Sequence, residues 1–231
     1  MSNLPLDPKK FSRLRRIQQI TENHCGPAVI QMLLENIGVN ATQEEITEAA
    51  GATRTIETHG TRVDQLAKAV HQLAPIAKLW YKEKAGPDDL EYVLDVCKFP
   101  VGVEWQGLFD DVDEDDEDYG HYSIIAHIDK VKDELIVVDP YKDFVDQNRI
   151  IKMSLFLQRW WDFNEVKDTY TGEKTFKKDE QLFFVVAPLS VTFPDELQMQ
   201  AYYWLTARIW VGKWDAPWQT LPCDYNRTNF I

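Results

Sequence analysis

Cys25 is the residue in this chain best placed to act as a nucleophile. It lies in "ENHCGPAVIQMLLENIG" (22–38), directly before Gly-Pro and an apolar helical pattern. A thiolate is the reactive form of cysteine, and the free N–H groups at a helix N-terminus favour that anion. Gly26 would let a substrate backbone come close, and Pro27 suits a first helical turn, where its missing N–H costs nothing. Acyl transfer by a thiol also needs a base, a group that orients the base, and donors for the oxyanion. His121 opens a strand after "YG", Asp139 ends the next strand before Pro140, and Gln19 carries a side-chain amide six residues before Cys25, with Gln18 as its competitor. Each has a plainer reading on its own: a buried structural thiol, an ordinary strand histidine, a solvated glutamine.

The elements that must position these residues follow from periodicity. Ala28, Val29, Met32, Leu33 and Ile37 recur at helical spacing, with Gly38 at the expected end. "TQEE" (42–45) reads as a capping box for a second helix stopping at Gly51, and a third helix follows "GT" at 60–61. From residue 75 the period shortens. "IAKLWY" and "PVGVEW" read as strands around a helix that starts at Pro87, and "HYSIIAHID", "ELIVVDP" and "QLFFVVAPL" read as further strands. "SLFLQRWWDF" suggests a short helix capped by Ser154. A three-residue turn at 129–131 would set His121 directly opposite Asp139 on one sheet face.

"Q-ITENH-CGPAVIQMLL", "HGTRVDQLAKAV", "GHYSIIAHID" and "IVVDP", in this order over residues 15–188, resemble the papain-like cysteine peptidases of the bacteriocin-processing, double-glycine-leader type, peptidase family 39 of clan CA, and most of all its soluble stand-alone members. The resemblance implies an α+β papain-like fold: a helical lobe (about 15–98) with the nucleophile at a helix N-terminus, then a mainly antiparallel β lobe (about 99–189). It implies Cys25 as nucleophile, His121 as general base, Asp139 as its orienting group and Gln19 in the oxyanion hole. Gly60, Thr61 and Gly120 stand in the matching segments and join Gly26 as expected substrate-binding residues. No metal and no cofactor is implied. His24 departs from the pattern, since many relatives carry Asp or Asn before the cysteine. The membrane and ATP-binding segments of transporter-fused relatives are not found in these 231 residues.

Charge and composition narrow the partners. A formal charge of -13 disfavours nucleic acid and anionic membranes and favours a peptide or protein substrate, basic ones included. The stretch at 110–118 holds eight acidic residues in nine and reads as a solvated loop, with selection of basic peptides as its functional alternative. No apolar run reaches membrane-spanning length. Three cysteines without CxxC spacing favour neither a disulfide framework nor zinc, which points to a reducing cytosol. His24, His59, His71 and His127 lack metal-ligand spacing. Residues 190–231 read as a tryptophan-rich helical extension, packed on its own domain or forming a homo-oligomer interface. The expectation is therefore a cytoplasmic cysteine peptidase, or a related amide hydrolase or acyl transferase, on residues 1–189. A catalytically silent papain-like peptide-binding module is the alternative.

Overall fold

The computed structural model describes residues 14–109, 119–144, 147–167, 172–202 and 221–222. The acidic stretch 110–118 and most of the tryptophan-rich tail lie outside them. The chain begins with helices: α1 Cys25–Asn36, α2 Gln43–Ala50, α3 Ile56–His59 and α4 Val63–Leu73. Thr42 and Glu45 cap α2 reciprocally, and Gly51 ends it in the left-handed conformation, as the sequence predicts. The strands follow as β1 Ala77–Lys82, β2 Val101–Gln106, β3 Gly120–Asp129, β4 Glu134–Val138 and β5 Arg149–Lys152. A helix α5 (Pro87–Glu91), continued by a π-turn (Tyr92–Val96), lies between β1 and β2, and α6 (Met153–Arg159) follows β5. Then come β6 Trp161–Lys167, β7 Lys174–Glu180, β8 Phe183–Pro188, β9 Val191–Thr192 and β10 Gln200–Ala201.

Seven strands form one antiparallel sheet in the order β10-β1-β8-β2-β3-β4-β5. Both faces are covered, so its central strands read as continuous apolar runs rather than alternating ones. Neighbouring residues serve opposite cores. Ile124, Val138, Phe184 and Val186 pack with α1, α2 and α4, whereas Ile125, Val137, Phe183 and Val185 pack with Leu90, Phe156 and Trp160. β6 and β7 form a separate hairpin.

Several expectations are corrected. Ser154 does not cap α6; its N–H and hydroxyl instead donate to Asp133 in the β3–β4 turn, because the helix starts at Met153 with Lys152 in the cap position. The helix expected from Glu196 is absent over 196–202, where a 3-10 turn (Asp195–Leu197) leads into β10 on the edge of β1. The remainder of that expected helix lies outside the described residues. Cys97 is buried but disulfide-bonded, so the step from cysteine count to a reducing cytosol loses its support. No helix among the described residues is long and apolar enough to cross a membrane.

Candidate active site

Cys25 is the first residue of α1 and is buried against the helical core. The start of a helix leaves N–H groups without intrahelical acceptors; Pro27 has none, so those of Cys25 and Gly26 are the ones available. His24 precedes the helix without capping it, and its Nδ1 shares a hydrogen bond of 2.6 Å with Thr21 Oγ1. Burial lowers its pKa despite Glu57 and Glu44, which keeps it neutral beside the helix start. The departure from Asp or Asn at position 24 therefore leaves a polar, uncharged neighbour.

β3 and β4 bring the other two groups to Cys25. Asp139 follows β4, which stops because Pro140 has no N–H for the ladder. Tyr141 N–H returns to Asp139 Oδ1 at 3.0 Å, a local turn that fixes the carboxylate. His121 Nε2 donates to the same oxygen at 2.8 Å, and Cys25 is near enough to the ring to help raise its pKa. The register differs from the expected one. The β3–β4 turn is longer by one residue, and a bulge lies between Ile125 and His127, so Ile124 pairs with Val138. That places Asp139 beyond the last pair, beside Ser123, and His121 two residues away as its diagonal neighbour. Residues two apart share a strand face, which is why the bond forms despite the shift.

The carboxylate is heavily used. Ser123 Oγ donates to Oδ2 at 3.3 Å, Trp105 Nε1 donates to Ser123 at 3.1 Å, and Arg149 Nη1 meets Oδ2 at 2.6 Å. Burial would raise the pKa of Asp139, but the His121 charge and hydrogen bond, Arg149 and the Tyr141 N–H outweigh it and hold it at about 2. Burial would lower the pKa of His121; the Asp139 charge and hydrogen bond, with Cys25, carry it well above its ordinary value. Phe109 lies edge-on to the His121 ring with centroids 5.0 Å apart, and also contacts Tyr141.

The N-terminal arm ties this end of the sheet to α1. Gln19 N–H donates to Pro140 O at 2.9 Å, and Arg16 takes the carbonyls of Asp139 and Tyr141. Gln19 is thus tied to the turn that follows Asp139. Both of its amide protons are directed at carbonyls of the next turn, Thr21 O at 2.9 Å and Glu22 O at 3.0 Å, while its buried Oε1 has no partner among the described residues. Donation to an oxyanion from Gln19 requires one of those bonds to open.

Cys25 opens onto a cleft of about 640 Å3 between the α3–α4 connection and the β6–β7 hairpin. Gly60, Thr61 and Gly120 line it with Tyr122, Asp162 and Phe176; Gly26 lies behind Cys25 rather than in the wall. Thr61 is buried and its hydroxyl has no partner among the described residues. A Cβ on Gly26 would stand 2.3 Å from that hydroxyl and 3.3 Å from Tyr122, so the expected approach of a substrate backbone is better explained as close packing beneath the cleft. Gly26→Ala is expected to cost about 1–3 kcal/mol by overpacking and to displace Thr61; thermal unfolding together with a change in KM would register both effects.

Arg149, Ser123, Phe109 and the hairpin residues Asp162 and Asn164 were not anticipated. Gln106 Nε2 donates to Asp162 Oδ1 at 2.9 Å, and Asn164 Nδ2 bridges Glu104 and Asp179. Burial, helped by the Asp179 charge, raises the pKa of Glu104 to about 7.

A helix-borne cysteine facing a histidine and an aspartate on an antiparallel sheet is the arrangement of a papain-like cysteine-peptidase fold. Residues 11–168 match the model of the peptidase C39-like family, and the chain belongs to that family. No match is found among curated sequences. The peptidase domain of Streptococcus ComA, described as a bi-functional ABC transporter involved in quorum sensing, is similar in structure, with a TM-score of 0.50 at 17% identity over 76% of this chain and 99% of that one. A double-glycine-motif protease from an AMS/PCAT transporter, solved with a leader peptide, gives 0.48 at 17% identity over 76% and 92%. The peptidase C39-like domain of a Vibrio parahaemolyticus toxin-secretion ATP-binding protein gives 0.44 at 9% over 73% and 98%.

Proposed function

We propose that the protein is a cysteine peptidase, or a closely related amide hydrolase or acyl transferase, acting on peptide bonds through Cys25, His121 and Asp139. The observation that carries this reading is the His121–Asp139 hydrogen bond buried next to Cys25, which itself lines the cleft. His121 takes the thiol proton and the sulfur attacks the amide carbonyl. His121 then returns the proton to the leaving amine, and water, or a second amine in a transferase, resolves the thioester. The N–H groups of Cys25 and Gly26 hold the oxyanion, joined by Gln19 once one of its amide protons leaves a turn carbonyl. Gly60, Thr61 and Gly120 contact the peptide along the cleft. No step requires a metal or a cofactor.

The test is substrate profiling of a proteome with wild-type protein and with Cys25→Ala. New peptide termini are expected only with wild type, and His121→Ala should reduce their rate of appearance by at least about 100-fold. Identical profiles for wild type and Cys25→Ala would leave the fold as a silent peptide-binding module. Iodoacetamide labelling of Cys25 provides a second readout, expected to slow sharply in His121→Ala.

A further inference from the structure

Arg149 is part of the machinery around Asp139 that neither the motifs nor the triad chemistry accounts for. It opens β5 and lies opposite Val137 of β4, which brings it to Asp139 although the two are ten residues apart in the chain. Its side chain is 12% exposed, and the carboxylate it meets is fully buried. The guanidinium fork has two targets: Nη1 donates to Asp139 Oδ2 at 2.6 Å and Nη2 to Leu108 O at 2.7 Å. Its plane lies over the Phe144 ring at 3.8 Å, which limits rotation of the fork. Leu108 immediately precedes Phe109, whose ring packs edge-to-face with His121.

We propose that Arg149 is a positioning residue of this site: with one hand it fixes the Asp139 carboxylate for His121, and with the other it pins the Phe109 ring against the His121 ring. The inference rests on the peptidase reading for its kinetic consequences, but its structural content is independent of turnover. The physical case has two steps. A buried carboxylate serving an imidazole must stay ionised and keep one orientation, and a charged donor on its second oxygen provides both. A hydrogen bond between His121 and Asp139 is also stronger when water is kept away from it, which is what an edge-on Phe109 does. The other titratable or charged groups about the pair are Cys25 on the far side of the imidazole, Tyr141, and Arg16, whose guanidinium is directed at the Asp139 and Tyr141 carbonyls.

The sign of the effect follows from charge. A guanidinium disfavours protonation of both neighbours, so removing it lets Asp139 and His121 hold their protons to higher pH. In the full chain, Arg149→Gln is expected to move both limbs of the kcat/KM profile upward by about one pH unit and to lower kcat about tenfold with KM changed less than twofold. Arg149→Lys restores the charge but not the planar fork. It should return both limbs to their wild-type positions while kcat remains depressed, because the tie to Leu108 is lost. A purely structural arginine would give Arg149→Gln a lower melting temperature with an unshifted profile, and that result overturns the proposal. A lysine variant equal to wild type in kcat overturns the two-point clamp. Should Arg149→Gln fail to fold, Arg149→Lys carries the test alone. NMR titration of the His121 ring in the same variants separates the two ideas. An upward shift in Arg149→Gln supports the coupling even if no peptide is turned over, whereas an unchanged ring titration overturns it even if wild type is an active peptidase.

Discussion

Asp139→Asn is expected to reduce turnover by about 100- to 10,000-fold, the contribution usual for a positioned acid–base group, while leaving substrate affinity nearly intact. Asparagine keeps the shape of the side chain but cannot balance an imidazolium. Burial alone lowers the pKa of His121, and the Asp139 charge is what overcomes it, so without that charge the ring releases its proton at lower pH. The alkaline limb of the rate profile should therefore move down in pH, opposite in direction to the shift expected for Arg149→Gln. Stability should fall as well, because Arg149 loses its counter-charge in a mostly buried position, with a cost toward the lower end of about 3–5 kcal/mol.

The wild-type pair has a defined pH window. The pKa of Asp139 is lowered on folding, so its contribution is present above its ordinary value of 3.8 and is lost as pH falls toward about 2. The pKa of His121 is raised, so its contribution is complete below 6.5 and is lost as pH climbs through the elevated folded value. Asp139→Asn should flatten both slopes in a series of thermal unfolding curves. Loss of turnover with an unmoved alkaline limb would separate Asp139 from the titration of His121.

The order of elements up to β4, apart from the four-residue α3, was legible because short local signals carried it. A capping box marked α2, Gly-Pro marked the start of α1, and the strand runs were bounded by polar turns. The pairing of His121 with Asp139 was legible as a neighbourhood rather than as a register: the bulge at residues 125–127 has no composition signal, and only strand parity saved the contact. Arg149 was hidden in "NRIIK", where a single arginine reads as a solvated strand residue until the β4–β5 pairing folds it back. The β6–β7 hairpin was missed for a different reason. Its inward residues are Asp162, Asn164 and Asp179, and its outward ones include Phe163 and Phe176, so the pattern inverts the rule that locates strands. "RWWDF" consequently looked like the end of a helix.

That inverted hairpin leads to a second large stability effect, comparable with that of Asp139→Asn and opposite in sign. Glu104 on β2 is fully buried and accepts from Tyr122 OH and Asn164, with Asp162 and Asp179 close by. Burial raises its pKa to about 7, helped by the Asp179 charge and opposed by hydrogen bonds from Tyr122, Asn164 and Asp162. Because the folded value lies above the ordinary one, the stabilisation is complete below about pH 4.5 and is lost as pH rises through about 7. At about 1.4 kcal/mol per pH unit over that interval the folded state gives up about 3 kcal/mol. Glu104→Gln removes the titration while keeping an acceptor for Tyr122 and Asn164, so it should match wild type near pH 4.5 and melt about 6–12 °C higher at pH 8.5. Parallel unfolding curves for the two proteins across that range would refute the raised pKa of Glu104. A widening gap would show that ionisation of the buried Glu104, beneath the hairpin that bears Asp162 and Phe176, weakens the folded state at neutral pH.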